Sequence, residues 1–215
     1  MRVRIVSLIL FFSAFVNAQH ELRTQEAWFD AAARDNLSAV KKISKKVNVD
    51  VVNSNGESAL LLAANSGAQR VVAFLLSQKA QVNIKDKSGN TPIFYAVSSG
   101  YGDIVELLIR HGADLKFKYQ AQENILFEAV RFGHVQIAFS LIKRAPQLLH
   151  QANARGETAV FSAVRGGHYL LAEKMIQSGA QVNIRNKNGQ SLFAVAKASG
   201  LKSVHPLFNQ LQANP

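Results

Sequence analysis

Six histidines and three glutamates at matched places are the side chains of this sequence best equipped for chemistry. An imidazole serves as a metal ligand or general base only where further donors or a reacting group converge on it. His134 and His168 each follow a glycine, His111 precedes one, and His20, His150 and His205 have no partner at a ligating spacing. Structural or surface roles are expected for all six. Glu57, Glu123 and Glu157 recur at equivalent positions. With one on each structural layer, neighbouring carboxylates would stand about 10 Å apart, forming at most an acidic thread. Gly-x-Ser-x-Gly, His-Glu-x-x-His and a phosphate loop are all missing, and there is no cysteine nucleophile. With none of those signatures, the prediction is a protein that is not an enzyme and holds neither metal nor cofactor.

The elements that carry these side chains repeat. Gly56 and Gly89, Gly67, Gly100 and Gly133, Gly156 and Gly189, and Gly167 and Gly200 are each 33 residues apart within blocks of similar hydrophobic pattern. A unit of that length cannot bury its apolar face alone, so neighbours must stack. Within one unit, Thr91 is suited to cap a helix, and Pro92 fits its first position, where a missing N–H costs nothing. Ile93, Ala96 and Val97 then recur at helical spacing up to Gly100, which can close the helix with positive φ. Ile104, Val105, Leu107 and Leu108 form the stripe of a second, antiparallel helix that Gly112 ends. Turn-forming residues such as Asp86-Lys87-Ser88-Gly89 lie between the helix pairs and predict a projecting finger.

These blocks resemble the ankyrin repeat. Gly89, Thr91, Pro92, Ile93, Ala96 and Gly100 match its Gly-x-Thr-Pro-Leu-His-x-Ala pattern. Its Gly-Ala-Asp-Val-Asn ending is matched by Gly112-Ala113-Asp114 and by residues 179–183. The resemblance spans about residues 27 to 210. It implies an all-α solenoid, with a cap over 22–52 and repeats near 53–85, 86–118, 119–152, 153–185 and 186–210, counted as one domain. Where the family has the histidine of Thr-Pro-Leu-His, this chain has Leu61, Phe94, Phe127, Phe161 and Ala194, which predicts apolar packing. Gln122 replaces a tip glycine, and residues 145–150 carry one extra residue, so a reshaped finger is expected there. The cap shows Asn36 at the glycine position and Lys41, Lys42, Lys45 and Lys46 on the side away from Val40, Ile43 and Val47, as suits a terminal repeat. At the other end, His205-Pro206 breaks the helix pattern, and residues 210–215 are expected to fray.

Residues 1–18 have a different character. Arg2 and Arg4 precede an apolar run from Ile5 to Val16, and Val16-Asn17-Ala18 forms a small-residue cleavage site. This reads as a secretory signal peptide, with a mature chain from about Gln19 in the bacterial periplasm or, alternatively, secreted. No cysteine follows for lipid attachment, and no later run is long and apolar enough to cross a bilayer. Removing Arg2 and Arg4 from the 25 Lys+Arg leaves 23 against 14 Asp+Glu, a net charge of +9. Outside the cytoplasm this excess argues for an acidic protein, an anionic membrane or a wall polymer rather than nucleic acid.

The resemblance implies protein binding through finger tips and first-helix ends. The expected contact residues are Tyr101, Tyr119, Arg131, Phe132, Arg155, Arg165, Lys187 and Lys197. The expected partner is another exported protein with an acidic surface, met by a monomer without membrane insertion. Ankyrin-type immunity proteins exported by predatory bacteria are similar in format and imply inhibition of an envelope peptidase or hydrolase. Exported ankyrin proteins associated with catalase offer the alternative of a helper in oxidative defence. A small array with one surface favours inhibition.

Overall fold

A computed structural model describes residues 2–200 and 206–212. The chain falls into two compact units, Met1–Pro92 and Ile93–Pro215. Among the described residues the architecture is all-helical, with isolated bridges at Val52–Ser58 and Arg185–Ser191 in place of strands. The expected all-α solenoid class is therefore present.

The first unit contains α1 (Arg2–Ala33), α2 (Leu37–Ile43), α3 (Ala59–Ser66) and α4 (Gln69–Ser77). α1 is continuous from residue 2 and runs through both the expected leader and the expected cap. Trp28, Ala32, Val40, Leu60, Leu61, Val71, Val72 and Leu75 are buried and form its core. Ser58 caps α3 by accepting from the Leu61 N–H at 3.3 Å. Gly67 closes α3 at φ 77°, a conformation that glycine takes without strain. The same place in the cap belongs to Asp35, not Asn36: Asp35 has φ 51°, and Asn36 instead caps α2 through the Ala39 N–H. The one-residue correction follows from side-chain chemistry, because Asp35 bonds Arg70 at 2.8 Å and accepts the Val71 N–H at 3.2 Å.

The second unit is built from three pairs of helices and a last one. These are α5 (Pro92–Ser98, starting at the boundary) with α6 (Gly102–Arg110), α7 (Ile125–Arg131) with α8 (Val135–Arg144), α9 (Ala159–Arg165) with α10 (Tyr169–Gln177), then α11 (Leu192–Ala198) and α12 (Pro206–Gln212). Pro92 opens α5 as expected. Ile93, Ile104, Leu108, Ile125, Leu126, Phe127, Leu141 and Phe161 are fully buried. Leu61, Phe127 and Phe161 thus pack as predicted, but Phe94 is half-buried and Ala194 exposed. Phe94 instead meets the Tyr119 ring, at 4.9 Å between centroids. The extra residue after α8 is absorbed by a short 3-10 helix, Pro146–His150, which buries Leu148 and Leu149. His205 and residues 213–215 lie outside the described residues, and the expected fraying from 210 is corrected by the continuation of α12 to Gln212.

Candidate protein-binding surface

The finger tips are shaped by a side chain that recurs with the period of the chain. Asn153 Oδ1 accepts the N–H groups of Arg155 and Glu157, at 2.9 and 3.1 Å. Asn186 does the same for Asn188 and Gln190, both at 3.0 Å. In the first unit, Asn53 and Asp86 hold their own tips identically. Such turns need an Asx residue to hold the amides and a left-handed residue to turn the chain. Gly156 and Gly189 supply the latter, both at φ 74°. Residues 119–123 contain neither an Asx residue nor a glycine. Tyr119 replaces the Asx, and the chain turns through Ala121 (φ 56°) and Gln122 (φ 60°), both left-handed without being glycine. The reshaped finger expected from Gln122 is therefore found, together with a second displaced residue, Ala121.

Successive tips are also joined through the backbone. The Ala154 N–H donates to Ala121 O at 2.7 Å, and the Lys187 N–H to Arg155 O at 2.9 Å.

Behind the tips of the second unit lies a polar ladder instead of a solvated acidic thread. Glu123, Glu128 and Glu157 are buried carboxylates. Arg131 donates to Glu123 and, at 2.7 Å, to Glu128. Arg155 donates to Glu157 at 3.1 Å and stands 3.9 Å from Glu123. Arg165 donates to Glu157. Asn153 Nδ2 reaches Glu123 at 3.2 Å, Asn186 Nδ2 reaches Glu157 at 3.1 Å, and the Ser98 hydroxyl donates to Glu128 at 2.8 Å. A carboxylate taken out of water is stable only when paired and hydrogen-bonded, as all three are. The three arginines keep about half of their side-chain surface exposed, with unused N–H donors held in fixed orientation.

Phe132 caps the end of α7 and is 53 % exposed, its ring stacked on His134 at 6.0 Å. His134 Nε2 meets Ser98 O at 3.0 Å, with its ring above Gly100, and His168 repeats this over Gly133, 3.4 Å from Arg131 O. Both histidines thus bind one repeat to the one before. Tyr101 sits exposed at the start of α6. Tyr119 is half-buried between Phe94 and Phe117. Lys187 is exposed at the last tip. Lys197 is exposed at the register position where Val97, Val130 and Val164 are buried, so it belongs to the solvent-facing side of the terminal repeat.

Asn153, Asn186 and Glu128 were missed by sequence reasoning. The 33-residue spacing of Asn53 to Asp86 and of Asn153 to Asn186 carried the signal for the first two. Glu128 was marked by a charge inside an otherwise apolar helix. On the outer helices, the Glu106 carboxyl is held below its usual range by the Ser140 hydroxyl and, against the opposing effect of burial, by Arg144 at 2.6 Å. Among the described residues no group of His, Asp and Glu could hold a metal, and no helix is long and apolar enough to cross a membrane.

The stacked helix pairs and fingers define a repeat scaffold, and comparison gives its family. The model for ankyrin repeats, three copies, matches residues 28–119 and 104–186. The chain belongs to the ankyrin-repeat family. It is similar to a chain in a solved complex of the predatory endopeptidase Bd0816 from Bdellovibrio bacteriovorus with the immunity protein Bd3460. That match has 28% identity and a TM-score of 0.78, covering 88% of this chain and 98% of the other. It is also similar to an ankyrin repeat domain from Acinetobacter baumannii AYE, with 26% identity and a TM-score of 0.78, covering 87% and 98%. No curated protein matches the sequence.

Proposed function

We propose that this protein is a non-catalytic binding module of the bacterial envelope that docks on an exported peptidoglycan-acting peptidase or hydrolase and blocks it, as an inhibitor or self-protection protein. The observation that carries this reading is the similarity, over nearly the full length of the matched chain, to a chain in a solved complex of an endopeptidase with an immunity protein. The leader, with cleavage after Ala18, would deliver the mature chain to the periplasm, and Val16 to Arg23 are exposed, as a processing site requires. The contact surface is the set of tips and first-helix ends in the second unit. Phe132 is its apolar anchor and the arginine ladder its fixed donors, the residue types that dominate interface energetics. An acidic partner surface would face the end carrying Lys174, Arg185, Lys187 and Lys197, because no Asp or Glu occurs after Glu173.

The test is affinity capture from periplasmic extract with the mature chain, followed by a peptidoglycan hydrolysis assay of the retained protein. Phe132→Ala is expected to weaken capture by more than about 1 kcal/mol. Arg165→Glu would also weaken it, but it leaves Glu157 facing a like charge, so Phe132→Ala is the cleaner probe. Retention of an uninhibited enzyme, or capture unaffected by Phe132→Ala, would overturn inhibition at this surface.

A further inference from the structure

The first unit carries a second surface of different chemistry. Lys41 and Lys42 close α2, Lys45 and Lys46 follow it, and all four are exposed. Lys41, Lys42, Ser44 and Lys45 line one side of a shallow groove, with Phe74 of α4 and Gln78 just after that helix on the other. The Lys41 ammonium stands 5.8 Å from the centroid of the Phe74 ring. The acids of this unit from Asp30 onward are engaged elsewhere: Asp30 with Arg34, Asp35 with Arg70, Asp50 with the Gln81 N–H, and Glu57 and Asp86 within the tips. Among the described residues none of the four lysines has an ion pair. Complementing the helix C-terminus accounts for Lys41 and Lys42, within the last turn, but not for Lys45 and Lys46 beyond it.

We propose that this lysine groove docks on the anionic phospholipid headgroups of a membrane surface, an interaction that stands independently of the peptidase reading. The contrast with the second unit decides between a membrane and an acidic protein. There the three ladder arginines are each fixed by a buried carboxylate, as suits a partner with groups in fixed places. Here the cations are four exposed ammonium groups without a carboxylate to fix them, suited to a fluid array of phosphates that offers no fixed geometry. Phe74, half-buried, adds an apolar ring beside the charges, the pairing of Phe with Lys that interfacial surfaces use. Each lysine brought near an anionic surface contributes about fivefold in affinity, and the attraction fades as salt shortens its range.

The test is sedimentation of the mature full chain with vesicles of phosphatidylcholine containing phosphatidylglycerol, against pure phosphatidylcholine. Binding is expected only to the anionic vesicles, lost at high salt and weakened on the order of several hundredfold by K41Q/K42Q/K45Q/K46Q. Lys45→Gln and Lys46→Gln alone, outside the helix and the core, are each expected to lose about fivefold, which keeps the test valid should the quadruple variant unfold. K187Q/K197Q should sediment like wild type. Absence of binding to anionic vesicles, or equal binding by the lysine variants, would overturn the proposal. So would binding of soluble poly-glutamate at least as tight as of vesicles, which would assign the groove to an acidic protein.

Discussion

The tips at 119–123 and 153–157 close the same backbone bridge by opposite means. In both, the first residue donates its N–H to the carbonyl of the fifth at 2.8 Å. At 153–157 the Asn153 side chain holds two amides, and Gly156 makes the turn. At 119–123 the first side chain is an aromatic ring that packs away, and two non-glycine residues take left-handed φ. The finger therefore depends on its backbone closure, while its side chains decide what that closure costs. One tip meets the requirement with hydrogen bonds, the other with aromatic packing against local strain.

Removing the buried acid beneath each tip separates the two most strongly. Glu157→Ala takes the acceptor from Arg155, Arg165 and Asn186 at once and is expected to destabilise by about 2–3 kcal/mol. Glu123→Ala should cost less, since Arg131 keeps Glu128. Urea midpoints at constant slope measure both, and equal shifts would remove the distinction. Glycine itself is tested next. Gly100 has φ 79°, and an added Cβ would stand 2.7 Å from the His134 ring. Gly100→Val should cost about 2 kcal/mol, whereas Ser88→Val at an exposed tip should leave the melting temperature nearly unchanged. Equal melting shifts would contradict the assigned register.

At the irregular tip the sign reverses. Gln122→Gly relieves a left-handed residue and is expected to stabilise by about 0.5–1 kcal/mol after glycine's extra chain entropy, read as a rise in melting temperature. A fall would show that the Gln122 side chain contributes more than its backbone strain removes. The smallest effect lies off the tips. The Glu106 carboxyl has its folded pKa lowered, so its contribution is present above the unfolded carboxylate range and lost as pH falls through the folded value. Glu106→Gln should therefore flatten the acid limb of a stability profile slightly, and wild type and variant should converge at the acid end.

The scaffold was legible because its requirements are local and periodic. Gly67, Gly100 and Gly133 mark helix ends, and Pro92 marks a start. The departures were harder to read where a residue's role depends on the next repeat. Asp35 takes its place through Arg70, 35 residues away, so counting along the cap alone assigned the glycine position to Asn36. Arg131, Arg155 and Arg165 were legible as cations at contact positions, but not as partners of Glu123, Glu128 and Glu157, because those pairs form only once repeats stack. Lys197 was legible as a cation, but not as the exposed occupant of a register position at which other repeats bury valine.

The bonds from Ala154 to Ala121 and from Lys187 to Arg155 run from main chain to main chain. In both pairs the finger is aligned to the previous one by atoms that every residue except proline possesses. The letters at these tips are thus uncoupled from the joint that sets their spacing. Such a surface can change its specificity one substitution at a time while the frame keeps its dimensions. An inserted residue between the joints leaves the frame in place only where a local turn takes it up, as the 3-10 helix Pro146–His150 does for the extra residue after α8.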